Sequence, residues 1–297
     1  MKKRKSLLSR KTPGDIVFDV INTTLLILIC LITLYPFYYL LITSFMPGDV
    51  PMTRLHLYPP KVTLDNYAKV LSDSDIWSGY KNTIARTIVG TVISVILTVA
   101  TAYPLSKPRL VHRKLFTSFV VITMFVSGGT IPSYLLVKNL GLFNTIWALV
   151  LPGAISAYNV VIVRNFYMSI PPALEESAQI DGGNDIQILF KVYLPVCLPV
   201  IATVALWVSV GHWNAWFDSL IYMTKSRNQV LQVIMRRVVL EGTTEMLNPD
   251  IYEETMHVST ETIKATTVMV TTIPILVVYP FIQKYFVKGV MVGSLKG

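Results

Sequence analysis

The sequence predicts an all-α integral membrane protein with six transmembrane helices. Three observations predict it. Of the 297 residues, 53% are hydrophobic and 14% are charged, against roughly 25% charged in soluble domains, and the mean hydropathy is +0.55. The apolar residues gather into six uncharged stretches of 19 to 29 residues, at 20–48, 87–106, 115–137, 139–163, 192–217 and 265–283. A helix needs about 20 residues to cross the hydrocarbon core, and lipid forces the backbone to satisfy its own hydrogen bonds. Finally, runs such as 25–32 do not alternate, as the strands of a membrane barrel would.

Charge sets the expected orientation. The formal net charge is +9. With the N-terminus inside, the inner segments hold 15 of the 26 basic residues, clustered at 2–11, 107–114 and 284–296. Positive residues favour the inner side of short loops, so both termini are expected inside. The basic N-terminus is read as a topology determinant rather than a nucleic-acid arm, and no nucleic-acid partner is expected.

The chain then divides in order. Residues 1–16 form a cytosolic basic N-terminus, and 17–44 the first transmembrane helix. That helix is expected to stay, because its apolar stretch is too long for a signal h-region and Tyr35-Pro36-Phe37 is no cleavage site. An extracytoplasmic segment, 45–79, is broken by Pro47-Gly48, Pro51 and Pro59-Pro60, and 64–71 suggests a short interfacial helix. A five-helix core follows at 80–286. Helix two spans 80–105. Helix three, 115–137, is interrupted at Ser127-Gly128-Gly129-Thr130-Ile131-Pro132. Helix four covers 145–168, helix five 197–221 and helix six 264–286. An inner loop occupies 169–196, a long polar outer loop 222–262, and an inner tail 287–297.

The inner loop holds the most informative sequence. Pro171-Pro172 suits a first helical turn. Glu175 and Glu176 lie where the helix dipole favours negative charge, and Gly182-Gly183 ends the helix with a left-handed turn. Asn184 or Asp185 then caps a second segment. Physical chemistry leaves two readings: a helix–turn–helix that docks on a partner, or a solvated elbow at the membrane surface.

Other motifs exclude chemistry. No Gly-Lys pair occurs in the chain, so there is no phosphate-cradling P-loop. His56, His112, His212 and His257 have no metal-ligand spacing. Cys30 and Cys197 make no disulfide framework. No metal, cofactor or catalytic residue is expected. Polar groups inside the membrane are functional candidates. Helix five offers Trp213, Asn214 and Asp218, and the break in helix three offers Ser127, Gly128 and Thr130. The plain alternatives are an interfacial aromatic belt and a packing kink.

Glu176-Ser177-Ala178, three residues, Gly182, nine residues, then Val192-x-Leu194-Pro195 resembles the EAA loop of binding-protein-dependent ABC importer permeases. Ser177 replaces the usual alanine and Val192 the usual isoleucine. The run from Leu174 to Gly182, the segment Tyr134-Leu135-Leu136-Val137-Lys138-Asn139-Leu140-Gly141-Leu142 and the tail from Phe286 to Gly297 are similar to the carbohydrate-uptake, maltose-type (MalG-like) subset. The last outer segment resembles its LplC/YtcP-like oligosaccharide subgroup. The resemblance implies a type I (MetI-like) permease fold and a multi-pass place in the plasma membrane of a bacterium or archaeon. It implies a coupling helix in which Glu175, Glu176, Ser177, Ala178, Asp181, Gly182 and Gly183 meet an ATPase, with Gly293, Ser294 and Lys296 of the tail beside it. The implied partners are a second homologous permease subunit, two ATP-binding cassette subunits holding ATP and Mg²⁺, a solute-binding protein, a sugar and the lipid bilayer. Beside this reading stand an ion-coupled secondary carrier and a membrane sugar receptor that moves nothing.

Overall fold

In the computed structural model, which describes residues 12–50, 56–241 and 260–294, no strand occurs among the described residues. The helices are α1 (Pro13–Ser44), α2 (Asp65–Ser72), α3 (Ser74–Ser106), α4 (Arg113–Ile122), α5 (Thr130–Asn139), α6 (Ile146–Val150) and α7 (Ala157–Met168). They continue with α8 (Pro172–Ile180), α9 (Asp185–Ile188), α10 (Leu194–Asn214), α11 (Phe217–Tyr222), α12 (Leu231–Glu241) and α13 (Thr260–Ser294).

The described residues fall into two compact units, one within 12–68 with 260–269 and the other within 69–241 with 270–294. In the first, α1 begins at Pro13 because Thr12 and Asp15 form a capping box, satisfying donors that a helix start leaves open. Its apolar surface is exposed nearly all round, as suits a helix facing lipid. Its other end is closed by buried Asn66, whose Nδ2 donates to the carbonyls of Ser44 at 3.1 Å and Met46 at 2.8 Å.

In the second unit α3 packs against α10, α7 and α12. Its buried stripe includes Gly79, Thr83, Gly90, Ser94, Thr98 and Ala102. Small residues let helix backbones approach closely where no water drives burial. One apolar core lies around Tyr103, Tyr167, Ile188 and Tyr193. Another lies around Val137, Leu149, Tyr222 and Val230.

Three helical runs, Pro13–Ser44, Ser74–Ser106 and Asp185–Asn214, are long and apolar enough to span a membrane. Taken together, Ile146–Gly153 and Ala157–Met168, bent by 53°, have the length and composition of a further span. The expected third helix is two ten-residue helices, α4 and α5. The break opens at Thr123, earlier than expected, and Pro132 sits inside the first turn of α5, where its missing N–H costs nothing.

Helix five also differs. It ends at Asn214, where Ala215 turns extended, and the chain resumes as α11. The outer loop is only partly a polar loop. Its α12 buries Leu231, Val233 and Ile234 and packs on α3, an amphipathic pattern that its two arginines concealed. Helix six runs on through Ser294, so the expected tail starts as helix.

Candidate functional site

The inner loop folds as a helix, a tight turn and a second helical segment. Pro171 is extended and Pro172 opens α8. Asp181 N–H donates to the Ser177 carbonyl at 3.0 Å, Gly182 N–H to Gln179 at 3.0 Å and Gly183 N–H to Ala178 at 2.9 Å. Gly182 has φ +80°, a conformation that suits glycine. Gly183 is needed for another reason: a Cβ there would lie 2.7 Å from the Ala178 carbonyl oxygen. Asn184 and Gln187 then form a capping box at the start of α9. A π-helical turn, Leu189–Tyr193, joins α9 to α10.

The two adjacent glutamates face different surroundings. Glu176, Ser177, Asp181 and Gly182 are exposed. Around them stand Ile180 at 86% exposure, Ile186 at 68% and Phe190 at 61%. Ala178, Asp181, Gly182 and Gly183 border a cavity of about 390 Å³ closed on its other side by Gln187 and Lys191. Glu175 departs from the expectation of an outward contact. Its Oε2 accepts from Tyr193 Oη at 2.7 Å and lies 2.7 Å from Lys107 Nζ. Gln179 Nε2 donates to its Oε1 at 3.4 Å, and Arg109 approaches at 3.9 Å. The physical reason is position: successive helix residues point about 100° apart, so Glu175 and Glu176 cannot serve one surface.

Lys107 completes this cluster. It caps the end of α3 and is nearly buried, with its ammonium 4.2 Å from the Tyr103 ring centre and 3.9 Å from that of Tyr193. Tyr103, Tyr167 and Tyr193 meet edge to face, 5.2 to 6.2 Å apart, a favourable arrangement for aromatic quadrupoles. Burial pushes the Glu175 carboxyl up, but hydrogen bonds from Lys107 and Tyr193 and the nearby cations outweigh it and hold it below the ordinary value. Burial pulls the Lys107 ammonium down, and Glu175 offsets only part of that. Lys107 and Tyr193 did not stand out in the sequence, where Lys107 counted only toward orientation and Tyr193 is the free position before Leu194-Pro195.

The residues expected along a pathway separate into three groups. Asp218 is engaged by Arg86, which is 3% exposed within α3. Arg86 also donates to the carbonyls of Ala215 at 3.2 Å and Leu149 at 3.4 Å, and to His212 Nδ1 at 3.3 Å. Asp218 thus ties α3 to the broken end of α10, a pairing that the sequence reading of Asp218 did not include. Arg86 went unnoticed because it borders the uncharged stretch 87–106. Trp213 lines an apolar cavity of about 350 Å³ with Ile84, Ile88, Ser209 and Pro274, whereas Asn214 is exposed at the end of α10. Ser127, Gly128 and Thr130 are exposed together at the α4–α5 break. No described hydrogen bond joins them to Trp213, Asn214 or Asp218. Of the tail residues, Gly293 and Ser294 are in α13, and Lys296 lies outside the described residues. Among the described residues no His, Cys, Asp or Glu cluster could hold a metal ion.

Residues 76–292 match the family described as the inner membrane component of binding-protein-dependent transport systems. The chain belongs to this family. Within it, the chain is 39% identical over 287 residues to Protein LplC of Bacillus subtilis (strain 168), covering 96% of this chain and 97% of that one. It is 39% identical over 282 residues to the polygalacturonan/rhamnogalacturonan transport system permease protein YtcP of the same organism, covering 95% and 99%. It also resembles a chain in the crystal structure of a bacterial ABC transporter involved in the import of the acidic polysaccharide alginate, with TM-score 0.87 and 33% identity over 93% of this chain and 99% of that one.

Membership makes the protein an integral membrane permease component, with ATP hydrolysis in separate subunits. It sets aside the lone ion-coupled carrier. It also gives the fold expected from the sequence, the all-helical MetI-like permease.

Proposed function

We propose that this chain is one of two homologous permease subunits of an ATP-driven oligosaccharide importer in the plasma membrane of a bacterium or archaeon. A solute-binding protein delivers sugar from outside. Two ATPase subunits inside hold the ATP and Mg²⁺. The single observation that carries the reading is the exposed face of α8, where Glu176, Asp181 and apolar Ile180 surround a turn that two glycines keep compact. The relative named for polygalacturonan/rhamnogalacturonan transport and the solved importer of the polysaccharide alginate support the sugar class. Closure of the ATPase dimer moves α8, and α8 moves the spans attached to it. The cavity then opens outward to take up sugar, and hydrolysis resets it.

Glu176→Lys in the assembled transporter tests the reading. Sugar uptake and ligand-stimulated ATP hydrolysis are both expected to fall about tenfold or more, the loss that follows when a charge-assisted contact worth about 1.5–3 kcal/mol is reversed. Wild-type values for both would remove α8 from the coupling role.

A further inference from the structure

Of the two neighbouring glutamates, only Glu176 faces outward. Glu175 holds Lys107 at 2.7 Å and accepts from Tyr193 at 2.7 Å. Each partner sits at the end of a helix: Lys107 directly follows α3, and Tyr193 closes the π turn that opens into α10, within the Asp185–Asn214 run. By contrast, α8 itself has no buried residue, and its apolar contact with the core is the partly buried Ala178. Arg109 and Asp185 form a second pair, but both are more than half exposed, and exposed pairs are weak. Among the described contacts of α8, the one between Glu175, Lys107 and Tyr193 joins it by charge and hydrogen bond to the ends of both neighbouring helices.

A buried ion pair rarely repays its desolvation in stability. What it does supply here is geometry. The ammonium is confined between two rings and a carboxylate. The Tyr193 hydroxyl fixes the same carboxylate oxygen from the other span. Glu175, Lys107 and Tyr193 thus form a three-cornered joint among α8, α3 and α10.

We propose that this Lys107–Glu175–Tyr193 cluster makes α8 and the inner ends of α3 and α10 move as one body. Glu175 is a positioning residue that passes the ATPase stroke inward, while Glu176 receives it. This rests on the coupling reading of α8.

The test uses the complete importer in proteoliposomes, with Glu175→Gln, Lys107→Met and the charge-exchanged pair Glu175→Lys with Lys107→Glu. In each single variant, sugar moved per ATP hydrolysed is expected to fall about fivefold or more, the lower end of ordinary coupling between sites. The ATPase subunits are expected to copurify at wild-type stoichiometry. The exchanged pair is expected to recover part of the ratio. Spin labels on α8 and the end of α3 are expected to keep a constant separation through the ATP cycle in wild type, and to lose that constancy in Glu175→Gln.

A wild-type transport ratio in Glu175→Gln overturns the joint, and so does a separation that already changes in wild type. Loss of the ATPase subunits in Glu175→Gln also overturns it, because that places Glu175 at the partner surface. Failure of the coupling reading itself is distinct, since Glu176→Lys would then leave uptake untouched.

Discussion

At the scale of single residues, the inner loop depends on two glycines with different tasks. Gly182 is left-handed at φ +80°, with nothing within 4 Å of an added Cβ. Gly182→Ala is therefore expected to cost about 1 kcal/mol, the price of a side chain in that conformation. Gly183→Ala must displace a backbone carbonyl 2.7 Å away, so it is expected to cost more and to open the turn. Thermal melting of the two variants checks the order, and equal losses would contradict it. Glu175 carries the pH dependence of the same region. Its folded-state carboxyl lies below its ordinary value of 4.5. Its contribution is therefore whole above that value and is lost as pH falls through the lower folded value. Tm compared between wild type and Glu175→Gln is expected to show a constant gap from neutral pH down to about pH 5. That gap closes only in stronger acid. A gap that closes near neutrality would mean that the carboxylate is not held by Lys107.

Elements show what local sequence reveals and what it leaves to tertiary contact. The helix and turn of the inner loop were legible in the sequence, because proline and two glycines act over a few positions, while the choice of Asn184 as cap and its box with Gln187 came from the structure. The direction of Glu175 was not, since it depends on Lys107, 68 positions earlier in the chain. The end of α10 was missed for a similar reason. Its apolar pattern runs past Asn214, but Arg86 from α3 draws the Ala215 carbonyl and Asp218 toward itself and the helix breaks there. The burial of α12 was hidden by Arg236 and Arg237, which made 231–241 look like solvent-facing loop. One is now seen over the Trp216 ring at 3.9 Å, and the other donates to Ser226 and Gln229. The Arg86–Asp218 pair gives a prediction at this scale. Removing one partner of a buried pair costs about 3–5 kcal/mol. Asp218 keeps 30% of its side chain exposed, which places Asp218→Asn near the lower end. Arg86→Met should cost more than Asp218→Asn, because Arg86 also holds two carbonyls. Denaturation of the purified subunit checks the ranking, and a neutral Arg86→Met would show that α10 ends at Asn214 for its own reasons.

On the scale of the whole molecule, function follows from which side of the membrane each part occupies. The basic clusters at 2–11, 107–114 and 284–296 orient the chain, and the family description makes it the membrane component of its system. Only if α8 faces the cytosol can it meet an ATPase, and only if the 222–241 segment faces outward can it stand beside an arriving sugar. The two requirements are independent of any detail of the coupling joint. A labelling experiment reads them directly. Ser177 is exposed on α8 and Thr224 is exposed beyond α11. Each is changed to cysteine in a background where Cys30 and Cys197 are replaced by serine and alanine. A membrane-impermeant maleimide is expected to label Ser177→Cys only in inside-out vesicles. It is expected to label Thr224→Cys only in right-side-out ones. Labelling of Ser177→Cys from outside would invert the topology and separate the loop from any source of ATP. Labelling of both sites from one side would mean an even number of crossings between them, so that the α9–α10 run is not a single span.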